Sequence, residues 1–239
     1  MSAVSRKLII AAESLEGADA ALSLCRAILG LAPAMPSGLI IEPVGNDYWS
    51  GRDPKIISTR GILMMAPPRV DRLRRMARRD AAELGARLSD LAKDLDTEWD
   101  CTVAAGDLVG AACAELRDAD ILLLGQRPLF RGLSRVVLLG GEKGPSEAAR
   151  ILAGALAQES RTSVAVLSAE TCADDQITAL VERTHAVALV LDLQAGPVMS
   201  EESLKRVYMA ARCPIVALGG ARFGRITSKA GASRVDRRD

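Results

Sequence analysis

Short, nearly unbroken apolar runs recur along the chain, with stretches of helical period between them, and this alternation restricts the fold more than any other feature. The runs are Arg6–Ala12, Leu39–Ile41, Trp99–Ala104, Ile121–Leu124, Arg135–Leu139, Ser163–Leu167, Ala186–Leu193 and Pro214–Leu218. Strands that face water on one side alternate apolar with polar residues. Continuous runs suit strands covered on both faces, hence a largely parallel sheet between helical layers. Helices are expected over Ala18–Leu31, with Ser14 as a cap, and over Leu108–Arg117, Pro145–Gln158, Asp174–Arg183 and Glu201–Ala211. A long helix is expected from Pro68 to about Asp96, with Val70, Leu73, Met76, Ala77, Leu84, Leu88 and Leu91 on its apolar face. Residues 45–68 mix turn residues with an apolar stretch and read as a partly ordered excursion. From Gly219 to Asp239 all periodicity is lost. That stretch holds six basic and two acidic side chains and reads as a flexible basic tail.

Composition narrows the function classes. With 31 basic and 30 acidic side chains the chain has no net pull toward nucleic acid or anionic lipid. No apolar run reaches the roughly 20 residues of a spanning helix, and the first residues lack the apolar stretch of a signal peptide. Five scattered cysteines without a CxxC pair read as reduced thiols of a cytoplasmic protein. A single histidine, His185, excludes multi-histidine metal sites, and no metal is expected. No GxSxG elbow exists, so hydrolysis by a serine triad is not expected.

Two phrases of the chain answer each other. RKLIIAAESLEGADAALSLCRAIL parallels RVVLLGGEKGPSEAARILAGALA, and RDADILLLGQ parallels RTHAVALVLDLQ. An internal duplication accounts for both. It divides the chain into residues 1–134, a shortened second unit 135–220, and the tail 221–239. A different cut makes 1–168 one complete domain, with Pro145–Leu167 as its last helix and strand. The tandem cut is preferred, because 135–168 reads as a beginning. The two units are expected to pack through Ile121–Leu124 and Pro214–Leu218, with 45–68 over an exposed flank.

With IIEP (40–43), AAGD (104–107), DADILLLGQ (118–126), SEAARILAGALAQ (146–158) and CPIVAL (213–218) in this order, the chain resembles a tandem member of the universal stress protein family. The resemblance implies two Rossmann-like repeats of the adenine nucleotide alpha hydrolase type, with strand order 3-2-1-4-5 and helices on both faces. Nucleotide-binding members of that family carry G-x-x-G, nine residues, then G-S or G-T. Here Gly125-Gln126-Arg127-Pro128 puts proline, which has no N–H, at the second glycine, and Gly140-Gly141 arrives late. The family's first-strand Asp falls near Ala12 or Gly141. No cofactor is therefore expected, and the broken loop points to a non-catalytic stress-response protein acting through contacts with a protein partner or by self-association. The alternative is an ATP- or AMP-binding sensor or weak hydrolase at a remnant pocket rimmed by Glu13, Ser14, Gly125, Gln126 and Arg127, where open α/β sheets bind ligands. The plain structural roles there are a helix cap for Ser14 and a turn for Gly125. A second alternative is a scaffold docking an acidic partner through Arg69, Arg72, Arg75 and Arg79 and the basic tail, since arginines at a helix start oppose its dipole. Asp71 and Asp80 interleave there, as on an ordinary solvated face.

Overall fold

The computed structural model describes residues 6–42, 55–59, 62–66, 70–117, 119–127, 135–141, 144–168, 174–198, 200–219 and 233–234, with backbone alone at 55–59, 62–66, 70, 174 and 233–234. The chain runs β1 (Lys7–Ala12), α1 (Leu15–Leu31), β2 (Met35–Glu42), β3 (Lys55–Thr59), β4 (Ile62–Ala66), α2 (Val70–Asp94), β5 (Asp100–Ala105), α3 (Leu108–Glu115) and β6 (Ile121–Leu124). It continues with β7 (Arg135–Gly140), α4 (Glu147–Glu159), β8 (Val164–Ser168), α5 (Asp174–Glu182), β9 (Ala186–Asp192), α6 (Glu201–Ala210), β10 (Ile215–Leu218) and β11 (Ser233–Arg234).

Nine strands form one sheet in the order β11-β5-β2-β1-β6-β10-β9-β7-β8. Two parallel runs make it up. The first, β5-β2-β1-β6, comes from residues before 125, and the second, β8-β7-β9-β10, from residues after 134. They meet where β10 lies antiparallel to β6, Ile215 opposite Leu124 and Leu218 opposite Ile121. These are the two strands the sequence expected to meet. Because the runs point in opposite directions, their C-terminal ends lie at opposite edges of the sheet. The position beside β6 belongs to β10, while β8 stands at the far edge. In the cut that ends a domain at 168, Pro145–Leu167 would supply α4 and β8 as its last helix and strand, and three strands separate β8 from β6 in the sheet order.

Both faces are covered, as the unbroken runs require. Leu8, Ile10, Ile121, Leu123, Val136 and Leu138 point into a core with α1, α2 and α4. Ile9, Ala11, Leu122, Leu124, Val137 and Leu139 point into a second core with α3, α5 and α6. A strand in this setting has no polar face, so period-2 alternation in the sequence disappears. The two similar phrases fold alike: β1 leads into α1 through the cap Ser14, and β7 leads into α4 through the cap Ser146. Each hydroxyl accepts from a backbone N–H three residues on. Asp120 ties the start of the first run. It is 2% exposed and accepts from Lys7 N at 2.8 Å and Arg117 N at 3.0 Å, which satisfies a buried carboxylate with two amide donors.

Some elements depart from their expected form. β2 begins at Met35 and contains Pro36, whose missing N–H is tolerated because pairing with β5 starts only at Ser37. Met76 is exposed, since it lies about 100° round the helix from the centre of the buried stripe. Within the excursion, β3 and β4 pair as an antiparallel hairpin outside the large sheet. The rest of 45–68 lies outside the described residues, as does its placement over a flank. Of the expected flexible tail, Ser233–Arg234 are described beyond 220, and they form β11 antiparallel to β5.

Candidate functional site

In an open α/β sheet ligands bind beyond the carboxyl ends of the strands, here at the ends of the neighbouring parallel strands β1 and β6. Gly125 extends β6, donating to Ala11 O at 2.7 Å. The chain then passes directly over the first turn of α1. A Cβ on Gly125 would stand 2.6 Å from Gly17 O, and one on Gly17 would stand 3.1 Å from Gly125 O. The two glycines thus put backbone against backbone. The strand end and the first turn of α1 are in direct contact at the floor of the crevice.

The helix N-terminus above that floor is also taken. Ser14 Oγ accepts from Gly17 N at 3.4 Å, and Asp80 of α2 accepts from Leu15 N through Oδ2 at 3.2 Å. The Leu15 and Gly17 amides, two of those that could hold an anion, already have partners within the chain. Glu16 adds another carboxylate in the first turn and pairs with Arg127 at 3.0 Å, both side chains about 70% exposed. A phosphate charge roughly 4 Å from Asp80 would meet a repulsion of order 1–4 kcal/mol. Gln126 Nε2 donates to Tyr208 O at 2.9 Å, which spends its donor on α6, and its buried Oε1 meets no partner among the described residues. Glu13 is half-buried. The five residues named from the sequence are therefore neighbours, but Ser14 and Gly125 serve the fold and Arg127 bridges the mouth on the surface. Pro128 lies outside the described residues.

The second run closes its crevice in a similar way. Asp192, 8% exposed, accepts from Gln194 N and Ala195 N through Oδ1 at 2.8 and 2.9 Å. This turn holds Ala195 O against Gly141, where a Cβ would stand 3.3 Å away.

Asp80 was read from the sequence as one of the acids interleaving the arginines. It lies instead on the inward stripe of α2 with Leu73, Ala77 and Leu84, all three of which are buried. The arginines divide by direction. Arg74 leans inward to Glu42 at 2.5 Å. Arg72, Arg75 and Arg79 are exposed, at i, i+3 and i+7, on one stripe. Arg69 lies outside the described residues.

Cys25, Cys101, Cys113 and Cys213 are buried free thiols. Burial pushes each up to about 12, so at neutral pH they are protonated and poor nucleophiles. Cys172 lies outside the described residues. Two results are expected. Alkylating reagent at pH 7.5 should leave these four unmodified in the native protein and label them after denaturation. Because their pKa is higher folded than unfolded, their contribution to stability is complete below about pH 9 and falls away as pH rises toward 12. A chemical-denaturation series from pH 8 to 11 measures it. Among the described residues no three His, Cys, Asp or Glu side chains are grouped to hold a metal ion, and no helix is long and apolar enough to cross a membrane.

The sequence matches no protein-family profile and no curated protein. Solved structures do resemble it. One, from Pseudomonas aeruginosa UCBPP-PA14 and provisionally assigned as a universal stress protein, is 13% identical with a TM-score of 0.40, over 90% of this chain and 93% of that one. A functionally unknown protein from Pseudomonas aeruginosa PAO1 is 14% identical with a TM-score of 0.40, over 90% and 92% of the two chains. Both are likenesses, and neither lends this chain an activity.

Proposed function

We propose that this chain is a non-catalytic regulatory protein of the universal stress protein kind, working in the cytoplasm through protein–protein contacts. In this reading it holds two shortened repeats, 1–134 and 135–220, and β10 of the second takes the fifth-strand place beside the first. The observation that carries it is the first turn of α1. Its Leu15 and Gly17 amides are bound by Asp80 and Ser14, and its approach is filled by Gly125. A nucleotide phosphate would have to displace a carboxylate and reopen a backbone contact. The two Ser-capped phrases, side by side on one face as α1 and α4, support the duplication.

A second reading has a specific observation behind it. Arg72, Arg75 and Arg79 stand exposed on one stripe near a positive helix end, with no acidic partner among the described residues, and an acidic protein surface would complement them. One thermal-shift experiment tests both readings. Millimolar ATP with Mg²⁺ should leave Tm unchanged. A ligand of about 10 micromolar affinity would add roughly 2.7 kcal/mol at hundredfold excess, a shift of several degrees that would refute the first reading. Polyglutamate at low salt should raise Tm if the stripe docks acidic partners, and no shift there would count against the second.

A further inference from the structure

The sheet has two ends, and they are finished differently. At one end β5 carries β11 outside it; at the other, β8 pairs with β7 and has no strand on its outer edge among the described residues. β8 reads Val164-Ala165-Val166-Leu167-Ser168, with exposed and half-buried residues in strict alternation. Ala165 and Leu167 lean into the core shared with α5 and α6. Val164 and Val166 point to the other face and stand 37% and 52% exposed. The corresponding strand of the first run, β2, has that face covered by α2, with Leu84 and Leu88 packed so close over Gly38 that a Cβ there would lie 2.8 Å from Leu88 Cδ1. In the second run the helix that follows β8 crosses to the opposite face, where Ile177 and Val181 are buried. Among the described residues β8 therefore has both an open edge and a bare apolar face, a combination that most proteins avoid unless a partner strand covers it.

We propose that β8 is the site of self-association, pairing antiparallel with β8 of a second copy about a two-fold axis at Val166. The backbone selects this register. Val136 N–H donates to Ser163 O at 3.0 Å, so the Ser163 carbonyl points inward to β7. Alternation then turns the N–H and C=O of Val164, Val166 and Ser168 outward. A two-fold at Val166 sets Val166 against its own mate and each Val164 against a Ser168. These are three hydrogen-bonded pairs and about six new hydrogen bonds, with no outward group in the strand left over. Any other centre leaves some of them unpaired. The strand carries no charge, so no like charges face each other. The axis is perpendicular to the sheet, so both bare faces fall on the same side and four valines form one apolar ridge. Within the chain itself, β6 and β10 already join two parallel runs edge to edge and antiparallel.

Sedimentation equilibrium of the full chain tests this, alongside Val166→Lys, Ser168→Pro and, as a control on α6, Met209→Lys. Val166 is half exposed and Met209 75% exposed, so the native melting temperature of each variant serves as the check on folding. The expected result is a wild-type mass that rises with concentration from 25.3 kDa toward twice that value. Met209→Lys should follow the wild type. Val166→Lys and Ser168→Pro should weaken association at least tenfold while melting like the parent. A wild-type chain that stays monomeric to several hundred micromolar overturns the proposal. So does association that survives both β8 substitutions, or that Met209→Lys abolishes.

Discussion

Expressed apart, residues 1–134 and 135–220 should each aggregate or lose a cooperative melt. The reason lies in the seam. Leu122, Leu123, Leu124, Ile215 and Val216 are all fully buried, and each is covered partly by the strand across the β6–β10 junction. Uncovering one side of such a residue costs roughly 1 kcal/mol. Separation also strips α1 from α4 and α3 from α6, which pack across the same junction. The total is on the order of 5–10 kcal/mol, as large as the stability of an ordinary domain. It also leaves two open strand edges. Solubility and calorimetry of the two fragments measure the effect. Two soluble fragments with sharp transitions would mean that the runs are independent units, and that the seam is a contact and not a shared core.

Gly125→Val should be the most damaging single substitution at the crevice. Its Cβ would meet the backbone carbonyl of Gly17 at 2.6 Å, and a backbone atom cannot rotate away as a side-chain tip can. Relief requires the first turn of α1 to move, which would loosen the Leu15–Asp80 contact. Overpacking of this kind costs about 1–3 kcal/mol and more where the backbone must shift. At 2–4 °C per kcal/mol for a chain of this size, the expected loss in Tm is about 2–12 °C, toward the upper end because the contact is with backbone. Gly154→Ala is the matched control. It lies exposed in α4 with nothing within 4 Å of a new Cβ, and should raise stability by up to about 1 kcal/mol. A Gly125→Val protein that melts with the wild type would show that the floor of the crevice is soft.

Most strands and helices were legible in the sequence because each apolar run is buried on both faces and each helix keeps one apolar stripe. Residues such as Leu123 and Leu138 have no alternative environment in so small a chain. The meeting of β6 with β10 was legible too. The first unit lacks a fifth strand, so its last one, Ile121–Leu124, needs cover. What stayed hidden depends on contacts distant in sequence. Asp80 caps a helix 65 positions away, and nothing local to α2 distinguishes it from Asp71 except its place on the buried stripe. Gly17 and Gly125 each look like ordinary turn or helix glycines until the strand order brings them together. The start of β2 was masked by Pro36, whose usual meaning as a strand breaker fails where only one neighbour is present. The rim Glu13, Ser14, Gly125, Gln126 and Arg127 was found as a neighbourhood, but not as a closed one.

The claim that the first turn of α1 is already occupied is tested most directly at its own amides. Two-dimensional amide NMR of the full chain, titrated with Mg²⁺ and ATP to several millimolar, resolves Leu15, Gly17 and Gly125 individually. With Asp80 and Ser14 holding the first two and Ala11 the third, all three resonances should stay in place throughout the titration. A saturable shift of Leu15 and Gly17 together, with a dissociation constant below about a millimolar, would contradict the account and make the crevice a nucleotide site.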